Sequence, residues 1–199
     1  LASEAVFSVE DHLAIVMDRI ECLHEALSID NSKDQSAIQF LEELQYFWSE
    51  LASKVETSAA VAGWLDKSLG KEQYCISPSD FGFQNTLIES NKLFFLDFEY
   101  AGWDDPAKLI CDFGCHPEIP IKDEYLQVFK NSFLTWLEDA EDSIYRSEIL
   151  MPLYRLKWCC IMLNEFTSGG RDRRNHASKK LDQEKQFKKV KTYFEQYLA

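Results

Sequence analysis

Asp80 stands five positions before Asn85, and Asp97 follows Asp80 by seventeen. A carboxylate can take a proton from a hydroxyl, while an amide oxygen and a second carboxylate are hard donors of the kind Mg2+ accepts. Phosphoryl transfer between oxygens needs these three things: a base to orient the acceptor, and donors to hold a cation against the phosphates. Taken singly, Asp80 and Asn85 read better as an Asx-turn pair and Asp97 as a turn aspartate ending a strand. The ordered trio, together with the F-E-Y-A-G and D-D-P runs that follow it, favours the chemical reading. Glu99 lies two residues beyond Asp97, on the same side of an extended stretch, and reads either as a solvated turn residue or as a candidate for a second magnesium or a cationic group of a substrate.

These residues fall in the one stretch without helical periodicity. Residues 73–98 read QYCIS, the loop PSDFGFQN, TLIES, the turn residues Asn91-Lys92 and LFFLDF. That pattern predicts short strands around a loop and a hairpin, with Asp97 at the end of a strand over 93–96. Helices are expected on both sides. Residues 5–27 are helix-like, and 36–55 place Phe40, Leu44, Phe47, Trp48, Leu51 and Val55 at helical spacing. A shorter helix over 59–69 is expected to stop at Gly70. After Pro106 the expected helices are 107–115, then 123–137 with Leu126, Phe129, Phe133, Trp136 and Leu137 on one buried face. Next comes 143–166, apolar nearly all round and ended by Gly169-Gly170, a basic loop GGRDRRNHASKK, and a last amphipathic helix over 181–198.

The 199 residues fit one unit with a substantial core: a helical segment 1–72, a catalytic-loop and metal-strand segment 73–117, and a helical segment 118–199. With 46% hydrophobic residues but only 7 glycines and 5 prolines, the expected class is α+β, mainly helical. Basic residues number 21 against 34 acidic, a net charge of −13, which makes nucleic acid a poor partner and suits a soluble acidic surface or a cationic or metal-chelated ligand. The six cysteines form no C-x-x-C pair and read as reduced core residues. Cys111, Cys115 and His116 share a helical face but lack a fourth ligand, so packing is the expectation. Without a signal peptide or an apolar run long enough for a bilayer, no membrane is expected and the reducing cytoplasm is the expected compartment.

The stretches SPSDFGFQNTL and LFFLDFEYAGWDDPAKL resemble the aminoglycoside phosphotransferase and choline kinase family, cousins of the protein kinases. The family's loop H-x-D-x-x-x-x-N and strand [IL]-D-[WF]-E-x-A, often followed by D-P, match at Asp80, Asn85, Asp97, Phe98, Glu99, Ala101 and Asp105-Pro106. By motif the likeness spans about residues 73–112. It implies the C-terminal lobe of a protein-kinase-like fold, with ATP as co-substrate, Mg2+ as cofactor and a small hydroxyl-bearing acceptor. Asp80 would be the catalytic base, and Asn85 and Asp97 would bind magnesium and through it the nucleotide. Glu118, Asp123 and Glu124 would suit a cationic acceptor.

The sequence departs from the family in two places. Pro78 occupies the position of the loop histidine, and no glycine-rich loop or strand-borne lysine precedes the catalytic loop. The chain begins at Leu1 without an initiator methionine and runs at once into helix. The expectation is a lobe cut from something longer, without its nucleotide-covering N-terminal lobe and inactive alone. An inactive binding or scaffold module is the alternative that Pro78 suggests; a protein kinase fits less well, since no A-P-E follows. D-F-G occurs at Asp80-Phe81-Gly82 and Asp112-Phe113-Gly114, and neither is read as a metal site. Asp112 is expected to support the catalytic loop by a hydrogen bond.

Overall fold

A computed structural model describes residues 1–29, 35–167 and 182–199. The expected glycine stop at 169–170 and the basic loop that follows lie outside the described residues. Helix α1, Val9–Ile29, starts at a reciprocal cap: the Asp11 carboxylate accepts from the Phe7 and Ser8 amides, and the Ser8 hydroxyl oxygen accepts from the Asp11 amide. Residues 5–8 therefore precede the helix rather than belong to it.

Helix α2, Gln35–Ala62, is a single helix where two were expected, because nothing between residues 55 and 59 breaks the hydrogen-bond ladder. Its end is set by Gly63 at φ 73°. The Gly63 and Trp64 amides fold back onto the Ala60 and Ala59 carbonyls, the paired bonds of a Schellman cap.

Strands β1, Cys75–Ser77, and β4, Gly102–Asp104, pair antiparallel with Ile76 opposite Trp103. Nothing in the sequence pattern predicts β4. Strands β2, Thr86–Glu89, and β3, Lys92–Phe95, form the expected hairpin. Ser90 and Asn91 both have positive φ, 48° and 62°, so the two-residue turn falls one position earlier than expected and matches the strand twist.

Helix α3, Pro106–Cys115, is capped by Asp105, whose carboxylate accepts from the Ala107 amide. Helix α4, Asp123–Phe133, ends before the expected boundary, and Trp136 beyond it is exposed rather than buried. Helix α5, Ala140–Leu163, buries Leu150, Leu153, Tyr154 and Leu156 against α1, α2, α3 and the last helix, α6, Gln183–Tyr197. A helix apolar nearly all round needs neighbours on most sides, and α5 has four helices against it, with Tyr145 and Glu148 left at the surface. No described helix is long and apolar enough to cross a membrane. All six cysteines are free thiols, and burial raises the pKa of Cys75, Cys111, Cys115, Cys159 and Cys160.

Behind α3 lies a closed set of charges. Asp105 accepts two bonds from Arg146, at 3.0 and 2.8 Å, and faces His12 Nε2 at 3.0 Å; His12 Nδ1 meets the Tyr154 hydroxyl at 2.7 Å. Lys108 reaches Asp104 at 2.7 Å and Asp112 at 3.2 Å, and Lys157 reaches Asp112 at 2.6 Å. Burial raises the Asp105 carboxyl, but the His12 bond and the Arg146 charge outweigh it and hold its pKa below the usual range. Asp112 is lowered in the same way: Lys108 and Lys157 overcome its burial. At Asp104 burial wins over the pull of Lys108 and pushes the pKa up.

The first residues of the chain lie along β4. The Ala2 and Ser3 amides donate to Trp103 and Tyr100, and a side chain at Gly102 would collide with the Leu1 and Ala2 backbone.

Candidate active site

β1 delivers the chain to the loop carrying Asp80. The Ser77 hydroxyl oxygen accepts from the Ser79 amide at 3.1 Å, and the Ser79 hydroxyl donates to the Ser3 carbonyl at 2.9 Å. Ser79 sits at φ 75°, a left-handed conformation that costs an L-residue roughly 1–2 kcal/mol. Beyond it, Asp80 points outward with its side chain 54% exposed. Phe81 turns inward and stacks on Phe113 at 5.2 Å, within 5.7 Å of Phe129 and 5.6 Å of Phe95. This aromatic cluster anchors the loop to α3, α4 and the hairpin.

A single 3-10 turn, Phe83–Asn85, then folds the chain back toward Asp80. Asn85 Nδ2 donates to the Asp80 carbonyl at 2.9 Å and to its carboxylate at 3.3 Å, and Gln84 Nε2 donates to the other carboxylate oxygen at 3.2 Å. With its nitrogen committed, the Asn85 amide oxygen is the acceptor left over.

His116, at the end of α3, completes the surroundings of Asp80. Its Nε2 lies 3.9 Å from the Asp80 carboxylate, and its Nδ1 accepts the Glu118 amide at 3.3 Å. Accepting at Nδ1 puts the proton of the neutral ring on Nε2, facing Asp80. The ring is 6% exposed and edge-on to Trp158 at 4.4 Å. Burial lowers its pKa and the Asp80 charge only partly opposes this, so the ring is held neutral. An imidazole thus stands beside Asp80 although Pro78 fills the loop position where one was looked for. Sequence reasoning treated His116 as packing. Its only signal was a place one helical turn after Asp112, and nothing in the spacing joins it to Asp80. Asp112, expected to bond the loop, instead binds Lys108 and Lys157 in the interior.

The Leu96 amide donates to the Asn85 carbonyl at 2.8 Å, extending the hairpin past its last paired residues. Asp97 therefore follows the residue opposite Asn85. It too is left-handed, at φ 63°, and exposed. Glu99 is exposed and takes a hydrogen bond from the Tyr100 hydroxyl, which raises the Tyr100 pKa. Strands β2 and β3 leave Leu87, Ile88, Leu93 and Phe94 in water.

Among the described residues, no group of three or more histidine, cysteine, aspartate and glutamate side chains converges on a metal position. The Asn85 oxygen and the Asp97 carboxylate, carried on neighbouring positions of the extended hairpin, would offer a cation a set of two hard oxygens. Mg2+ fits such a set, because it keeps several waters and takes its remaining ligands from phosphates. The structure joins Asp80 to Asn85 directly and brings Asp97 next to Asn85 along the ladder.

No family profile matches the sequence, and no curated protein matches it. Among solved structures, the choline kinase from Cryptosporidium parvum Iowa II superposes with a TM-score of 0.48 at 15% identity, over 92% of this chain and 55% of the kinase. The chain thus spans about half the length of that protein. At that identity no residue here takes its role from the kinase.

Proposed function

We propose that the chain is the helical lobe of an ATP-dependent phosphotransferase that transfers the γ-phosphoryl group to a hydroxyl of a small molecule. The observation that carries this reading is the setting of Asp80: an exposed carboxylate held by Asn85 and Gln84, faced by a neutral His116, with Asp97 beside Asn85. Gln84 and Asn85 fix the carboxylate plane and leave lone pairs open to an incoming hydroxyl, whose proton Asp80 accepts. A protonated His116 would pair with Asp80 and weaken it as a base; the neutral ring, 3.9 Å away, leaves its charge uncancelled. Asn85 and Asp97 would hold Mg2+, which when bound neutralises and orients the phosphates. Phe81 resists displacement of the loop. In this reading the nucleotide-covering lobe lies outside the 199 residues, and the free thiols suit a reducing compartment such as the cytoplasm.

The test is turnover and nucleotide binding by the intact protein. Asp80→Asn should leave binding of a non-hydrolysable nucleotide nearly unchanged and cut the rate by about a hundredfold to ten-thousandfold. Asp97→Asn should weaken magnesium-nucleotide binding and rate together. Pro78 favours a second reading, an inactive binding module. Wild-type protein that binds no magnesium-nucleotide, or variants indistinguishable from it, would decide for that one.

A further inference from the structure

A groove of about 330 Å3 runs between the turn after α3 and one face of α6, with Pro117 and Pro120 on one wall and Lys185, Lys188, Lys189 and Tyr193 on the other. The helical spacing of these α6 residues puts them on one stripe, so three ammonium groups crowd a single wall of a chain whose net charge is −13. Lys189 pairs with Glu118, while Lys185 and Lys188 have no acidic partner among the described residues. The groove also adjoins the Asp80 surroundings. The Glu118 amide feeds His116 Nδ1, and the Tyr193 hydroxyl donates to the Cys115 carbonyl, one residue before His116, at 2.6 Å.

We propose that this groove binds an anionic group, carboxylate or phosphate, carried by the phosphoryl acceptor, an inference that rests on the phosphotransferase reading above. Of the three acidic residues that would have suited a cationic acceptor, two are engaged, Glu118 by Lys189 and Glu124 by Lys122 at 3.7 Å. A net charge of −13 disfavours anions overall, so a local cluster of lysines is what could draw one in. The tyrosine and proline walls lower the local dielectric and strengthen attraction to the ammonium groups. An anion there would also relieve the repulsion between Lys185 and Lys188.

The test follows backbone amide NMR shifts of the 199-residue chain, without nucleotide or metal, during titration at low salt with inorganic phosphate, with succinate and with choline. Phosphate or succinate should shift the amides of residues 118–119 and 185–193 saturably, and choline should not. Lys185→Glu with Lys188→Glu, both exposed and so tolerated by the fold, should weaken the response about tenfold or more. A response to choline alone, no response at all, or an anion response unchanged in the double variant would overturn the proposal. Because no phosphoryl transfer is measured, failure here leaves the Asp80 reading standing. An intact anion site in a protein that never turns over ATP would sink that reading instead.

Discussion

Two sets of carboxylates, one behind α3 and one at the hairpin edge, hold the same chemical groups in opposite circumstances. Asp104, Asp105 and Asp112 are buried; Asp104 and Asp105 each touch a cation and backbone amides, and Asp112 lies between Lys108 and Lys157. Asp80, Asp97 and Glu99 stand in water, with Asp80 held by neutral groups alone. Interior charges are costly to desolvate and are kept only when fully partnered, so they bind α1, α3 and α5 into one unit. Charges left at an edge cost the fold little and keep lone pairs for a ligand. The difference separates residues that hold the lobe together from residues that could act on something else.

The largest test of that separation is Asp105→Ala. It strands Arg146 and His12 in the interior and should cost about 3–5 kcal/mol by denaturant unfolding. A loss under about 1 kcal/mol, the scale of exposed pairs, would mean that the array is no lock.

Acid gives a smaller, graded effect. Asp105 and Asp112 have folded pKa values below the unfolded value of 3.8, so the unfolded chain protonates first. Their stabilisation is complete above the unfolded value and is lost as pH falls through the lower folded values. Asp104 is shifted upward and works with the opposite sign, softening the slope. Unfolding midpoints measured on the acid side should fall with pH, and the dependence should be shallower in Asp105→Asn.

The smallest effect is expected at the edge. Asp97→Gly removes a non-glycine residue from φ 63° and should leave stability unchanged or raise it by about 0.5–1 kcal/mol while deleting the proposed metal donor. A clear drop in melting temperature would show that Asp97 works for the fold after all.

The hairpin and the Asp80 loop were legible because the period changes abruptly at residue 73 and the turn chemistry is local. Most helices were legible for the same reason. The break expected near residue 58 was not real: Glu56, Thr57 and Ser58 weaken a helical stripe without ending a helix, and only the left-handed Gly63 does so. The interior charges were opaque. His12 and Asp105 are 93 positions apart, and Arg146 and Asp105 are 41 apart, and no spacing rule reaches that far. His116 stayed hidden for the same reason, since its contact with Asp80 is made through the fold.

Gly102 lies under the first residues of the chain, and those residues hold Ser79 through the Ser3 carbonyl. Any side chain there would lift that segment and loosen the residue preceding Asp80. In a saturation screen scored for the proposed activity, Gly102 should therefore be as intolerant as Asp80, refusing even alanine, although its own position would meet no ligand.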